Sequence, residues 1–280
     1  MLINNKEEFA KYIPTVGGYN PDPNNTDWDK LSPFVQEAEL FLQTELLGID
    51  LYNLIAATTD MQLKNAACTV VACMAYNGAI PYVDLIQTPN GFGVVSNTNQ
   101  APASKERVDR LNEWTKIRAS EATDALITLI FQNAEYNAEW KKFGLYDYYT
   151  ECLFMTAASL KRYCKRDALR YNLDELHPVF MAYQEKISRM ISHEYMNDII
   201  VKRRDASLTI EDIAMIRTLM TIMGMLYRND DNAAYKLLET VVNTMVASLD
   251  KYPVYANSQA YRIKISDKYE NKKSDPTFFF

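Results

Sequence analysis

The chain has 280 residues and a mass of 32.2 kDa, with 30 Lys and Arg against 36 Asp and Glu, a formal net charge of −6 and a pI near 5.1. Hydrophobic residues make up 48% and charged residues 24%, so the chain can bury a core without disulfides or metals, which excludes disordered, collagen-like, membrane-spanning and disulfide-scaffold classes. The acidic balance argues against a general nucleic-acid coat or an anionic-membrane binder, and 8 Gly with 2 His leave little material for phosphate cradles or histidine chemistry.

In chain order, a short helix is expected over Lys6–Tyr12, ended by Pro14 and Gly17-Gly18, with a loop from Tyr19 to Thr26. Ser32-Pro33 reads as an N-cap followed by proline at the first helical position. From there apolar residues recur from Phe34 to Leu54, with Gly48 bending or breaking the helix. Thr59 with Gln62 reads as a capping box for a helix carrying Leu63, Ala66, Val70 and Met74. Over 80–103 the pattern changes. Val83 to Ile86 leads into Pro89-Asn90-Gly91, then Phe92 to Val95, and Asn-Gly between apolar runs signals a β-hairpin because both residues tolerate positive φ.

Helices resume near Ser104, with a stripe from Val108 through Leu126 to Ile130. Further helices are expected over Tyr146–Cys164 and Pro178–Val201, after a Thr209/Asp212 cap, and over Asn232–Leu249, where Pro253 ends the last one. Tyr261-x-Ile263-x-Ile265 alternates like a strand, and the sequence given closes on Phe278-Phe279-Phe280. Residues 31–55 align without a gap on residues 176–200, sharing the Leu/Pro start and the Leu42/Ile187 and Leu46/Ile191 stripe. Duplication would give this match, and so would any two amphipathic helices that start with proline.

The expected fold is mainly α: a helical bundle with a β-hairpin insertion near 80–100 and an extended C-terminal arm. Residues 1–30 form an N-terminal short helix and loop, and 31–170 a helical half with the hairpin over 80–103. Residues 171–250 form a second helical half, and 251–280 the arm.

Motifs for chemistry are sparse. Cys68, Cys73, Cys152 and Cys164 form no C-x-x-C pair and read as four buried thiols. His177 and His193 have no second ligand at metal spacing, and neither a G-x-S-x-G elbow, nor a Walker loop, nor G-x-G-x-x-G occurs. Asp230-Asp231 fits helix capping, and the Lys161-Arg162 and Lys202-Arg203-Arg204 clusters fit helix C-termini. No catalytic, cofactor-binding or metal residue is expected. The features that helical packing does not use are the hairpin, the tail and the Phe triplet. The expected subunit or partner interface is therefore Asn90, Gly91, Phe92, Val94, Tyr261, Ile263, Ile265, Phe278, Phe279 and Phe280.

The run FVQEAELFLQTELLGIDLYNLI (34–55) resembles the first helices of tailed-phage head–tail connector proteins, which carry a similar A-E-x-x-I/L…L-G…Y-x-x-L run and then a helix like Leu63 to Tyr76. The run IPYVDLIQTPNGFGVVSNTNQAPASKERVDRL (80–111) is similar to an uncharacterised family of Bacteroides-type bacteria and crAss-like phages. The resemblance covers about residues 30–135, and its motifs are packing and turn residues. It implies a structural virion protein without enzyme activity: a neck adaptor forming a ring with copies of itself, commonly twelve-fold. That ring would sit between the portal protein and other neck or tail proteins, and DNA would pass through it without sequence-specific binding. It would need no cofactor and no membrane, and it would be assembled in the bacterial cytoplasm. This chain departs from small connectors in its length, its second half and its tail. The alternative is an intracellular helical enzyme or ligand-binding protein with a pocket between the two halves, where Tyr146, Asp147, Tyr148 and Tyr149 are the place to look.

Overall fold

The computed structural model describes residues 1–16, 26–83, 85–88, 91–94 and 104–266. The chain divides into two compact units, Met1–Pro178 and Val179–Phe280.

The first unit opens with α1 (Lys6–Ala10), whose N-cap Asn5 accepts a hydrogen bond from the Glu8 amide. A 3-10 turn (Pro14–Val16) precedes α2 (Thr26–Phe41). Pro33 lies inside α2 rather than at its start. A proline offers no N–H to the carbonyl four residues back, and the Ser32 hydroxyl donates to that carbonyl, Asp29 O, at 3.5 Å instead. The chain then widens into a π-turn (Leu42–Leu46) and stops at Gly48, whose φ of +80° and ψ of 157° suit only glycine. The widened turn leaves carbonyls without helical partners. Trp140 Nε1 donates to Leu46 O at 2.8 Å, and the Tyr149 hydroxyl donates to Glu45 O at 2.7 Å.

After α3 (Ile49–Ala57) comes the central helix α4 (Met61–Val83). Its cap is Asp60 rather than Thr59: Asp60 Oδ1 accepts from the Gln62 and Leu63 amides at 2.9 and 3.2 Å. Val70, Val71, Ala72 and Cys73 are consecutive and all buried. A helix buried on every side shows no amphipathic stripe, and α4 is covered by α2 and by α5 (Lys105–Gln132). The small residues Ala67, Ala72, Ala75 and Ala79 suit that close packing. The rest of the unit is α6 (Ala134–Trp140), α7 (Tyr146–Thr150) and α8 (Ala157–Ser159), which runs into a second π-turn (Leu160–Cys164). Helix α9 (Arg170–Ile191) carries the chain across the boundary of the two units.

The second unit holds the remainder of α9, then α10 (His193–Arg204), α11 (Ile210–Tyr227) and α12 (Asp231–Ala247). Ser192 ends α9 and caps α10 by accepting from the Tyr195 amide. Thr209 and Asp212 form the expected capping box of α11. Helices α11 and α12 pack on each other around Leu219, Met223, Leu238 and Met245. A 3-10 turn (Leu249–Lys251) leads into α13 (Pro253–Ala256) and α14 (Gln259–Ile265).

Among the described residues the fold is mainly α, and several expectations are corrected. The β-hairpin insertion over 80–103 is not supported as a component of the fold. Residues 80–83 are the end of α4. The extended backbone among the described residues is two four-residue runs, Leu85–Thr88 and Gly91–Val94, paired antiparallel and joined to no further strand. Of the C-terminal arm expected over 251–280, residues 253–256 and 259–265 are helical rather than extended, and residues 267–280 lie outside the described residues. The Ser258 hydroxyl oxygen accepts from the Tyr261 amide at 3.2 Å, and the Tyr261 and Tyr255 rings sit 5.5 Å apart. An i, i+2, i+4 pattern places Tyr261 and Ile265 on one helical face as readily as on one strand face.

The expected helix over Tyr146–Cys164 is two pieces interrupted at 151–156, and Pro178 lies within α9 rather than at its start. Pro253 opens α13 at the N1 position, where its missing N–H costs nothing, rather than ending the preceding helix.

Candidate functional site

A cavity of about 290 Å³ opens within the first unit. Its apolar wall is Phe41, Leu46, Met74, Ala119 and Leu169. The π-turn creates part of that wall, because it sets Leu46 between α2 and α3 while Trp140 and Tyr149 hold the freed carbonyls. Helices α4 and α5 supply a polar side. Asn77 Nδ2 donates to Asn112 Oδ1 and to Thr115 Oγ1 at 3.2 Å, and Thr115 Oγ1 donates to Asn112 O at 2.8 Å.

The first turn of α9 forms the roof. The Arg170 amide donates to Ser120 Oγ at 2.7 Å, and Leu169 N donates to Asn172 Oδ1 at 3.0 Å. The Arg170 guanidinium donates from Nη1 to Met155 O at 2.7 Å, stands 5.2 Å over the Tyr149 ring, and has its Nε 3.5 Å from Asp174 Oδ1. Its Nη1 also lies 3.7 Å from Asp124 Oδ1. Asp124 does two tasks at once. Its Oδ2 accepts from the Ala158 amide at 3.1 Å and so caps α8 from another helix, while its Oδ1 is buried without a hydrogen bond.

Two carboxylates thus share one guanidinium. Burial raises the pKa of both Asp124 and Asp174, and Arg170 lowers each only in part. Burial also pushes the Tyr149 phenol up to about 12, against the lowering effect of Arg170. Beside this group, the His177 ring packs against Tyr148, tilted by 33° with centroids 4.3 Å apart, and His177 Nε2 is 3.7 Å from Glu151 Oε1. Within the tyrosine run, Tyr149 and Tyr148 are therefore where polar groups converge. Arg170 and Asp174 stand at i, i+4 on α9, but no spacing in the sequence relates that pair to Asp124 or Tyr149, which join it through folding alone.

Residues 32–150 match a family of unknown function (DUF6712). No curated protein and no solved structure matches the chain.

None of the sequence-predicted interface residues that the structure describes lines this cavity. Gly91, Phe92 and Val94 lie in the short paired run, opposite Thr88, Gln87 and Leu85. Asn90, Phe278, Phe279 and Phe280 lie outside the described residues. Tyr261, Ile263 and Ile265 lie on α14, where Ile263 is 65% and Ile265 59% exposed. A groove of about 380 Å³ adjoins them, lined by Met190, Val242, Tyr255, Ala260, Ile263 and Lys264 among others.

All four cysteines are buried and free, as expected. Among the described residues no group of three or more His, Cys, Asp and Glu could hold a metal ion. No described helix is long and apolar enough to cross a membrane.

Proposed function

We propose that the chain is a structural subunit of a phage neck, a head–tail connector that assembles with copies of itself between portal and tail. The observation that carries this reading is the pair Ile263 and Ile265, which stand exposed on α14, interleaved with the charged Arg262 and Lys264, with Ile263 lining the Met190–Val242 groove. Exposed branched residues flanking a groove are the kind of surface that a neighbouring copy covers. The resemblance of 34–55 and 80–111 to connector and crAss-like families supplies the setting. In this reading Asn90, Gly91, Phe92, Val94, Tyr261 and Phe278–Phe280 contribute to contacts between subunits, and DNA passes without sequence-specific binding.

Two measurements test the proposal together. Mass photometry of the full chain across concentrations should show a closed ring, about twelve-fold as connector rings commonly are. Gradient-purified particles should contain the chain at a matching copy number relative to the major capsid protein. The double variant Ile263→Asp/Ile265→Asp should lose the ring while keeping the wild-type melting temperature. A stable monomer at all concentrations that is absent from particles overturns the proposal.

A further inference from the structure

The cavity of the first unit has a charge layout that packing alone does not use. Its rim carries Lys116 and Arg170 on one side of the charge balance and Asp174 on the other. Lys116 is exposed, and it has no ion pair among those described for this region. Arg170 is engaged through Nη1 and Nε, and Nη2 takes no part in those contacts. Asp174 has its side chain 44% exposed and meets Arg170 Nε only at 3.5 Å, beyond a good charge-assisted hydrogen bond. The first turn of α9, which forms the roof, adds partial positive charge on the side of Arg170.

Beneath this rim is the apolar well of Phe41, Leu46, Met74, Ala119 and Leu169. The cavity holds about 290 Å³. At about 30 Å³ per water that is the room of about ten waters, a molecule of about ten non-hydrogen atoms. Pockets of this kind, with apolar walls and a few convergent polar groups, are where small ligands bind.

We infer that this cavity binds a zwitterionic small molecule with an apolar body, of the class of a free α-amino acid with a branched or aromatic side chain. The carboxylate faces Lys116 and Arg170 Nη2. The ammonium faces Asp174, whose carboxylate shares Arg170 with Asp124. The side chain fills the well against Leu46 and Met74. An isolated anion would meet the Asp174 carboxylate, and an isolated cation would meet Lys116 and Arg170. A molecule carrying both charges answers both sides of the rim. This inference does not depend on ring assembly, since every residue in it lies in the first unit.

The test is isothermal titration calorimetry of the full chain with L-leucine and L-phenylalanine, alongside N-acetyl-L-leucine, L-leucinamide and 4-methylpentanamide. The free amino acid should bind at least about tenfold more tightly than any blocked form, because N-acetyl-L-leucine and L-leucinamide each lack one charged hydrogen-bond partner and 4-methylpentanamide lacks both. Lys116→Met and Asp174→Asn alter partly exposed side chains and should keep the wild-type melting curve. Each should weaken L-leucine about tenfold, and Asp174→Asn should leave N-acetyl-L-leucine unchanged. Ala119→Leu, which fills the well, should abolish binding. The inference is overturned if no compound gives heat or a melting shift at about 10 mM, if the blocked forms bind as well as the free amino acid, or if the two rim variants bind normally.

Discussion

Replacing Gly48 by alanine tests how the first unit shapes its cavity. Gly48 has φ +80° and ψ 157°, a region that an L-residue enters at a cost of about 1–3 kcal/mol. A Cβ there would stand 2.9 Å from Cδ2 of Phe143 and 3.3 Å from its Cγ. The ring must shift, so the steric cost adds to the backbone cost. Against this, alanine restricts the unfolded chain and returns about 0.4–1 kcal/mol. The net expectation is a loss of about 2 kcal/mol, or a melting temperature lower by about 4–8 °C for a unit of this size. The assay is thermal unfolding followed by circular dichroism at the helical band. Gly144→Ala is the internal control, because a Cβ at that position has nothing within 4 Å. A Gly48→Ala protein that melts within about a degree of the wild type, or no lower than Gly144→Ala, would refute the argument that this backbone conformation sets the turn.

Three other expectations follow from particular contacts. Thr209→Ala removes the capping bond to the Asp212 amide and should lower stability by about 1 kcal/mol in urea unfolding, with an unchanged denaturant slope. Asp124 has a folded pKa raised by burial, so the folded state holds more protons than the unfolded state between the ordinary carboxylate value and the raised one. Its contribution is present at low pH and is lost as pH rises through the raised value. The stability of wild type relative to Asp124→Asn should therefore fall as pH is raised from about 4 to 7, and a difference that stays flat with pH would contradict the burial argument. Finally, burial raises the Cys68 thiol, and the Cys73 thiol to about 11. All four thiols should resist an aromatic disulfide reagent in buffer and react together in denaturant; fast labelling of any one in the native protein would show that its site opens.

The sequence was sufficient for features set within a few residues or by the overall balance of residue types. The helical class, the buried thiols and the Thr209/Asp212 cap were all legible, because capping and burial depend on local chemistry and on the need to cover apolar surface. Element boundaries were legible only where the local signal had no competitor. Asp60 took the cap from Thr59, and Pro33 and Pro178 were absorbed into helices, because burial of a long helix outweighs one missing hydrogen bond. Alternation at Tyr261, Ile263 and Ile265 was read as a strand because spacings of two and four fit both periods. Ser258 and Tyr255 decided for helix through contacts that the pattern does not contain.

The convergence at the cavity, by contrast, is set by packing between distant elements. Arg170 lies 46 residues from Asp124 and 21 from Tyr149 in sequence, and no periodicity links them. They meet because Asp124 caps α8 from α5 and Ser120 caps the first turn of α9. The π-turn before Gly48 is held open by Trp140 and Tyr149, which come from about a hundred residues later. Sequence patterns encode which face of an element is apolar. The meeting of polar groups from different elements is fixed only when those faces pack, because each buried donor and acceptor must then find its partner in space.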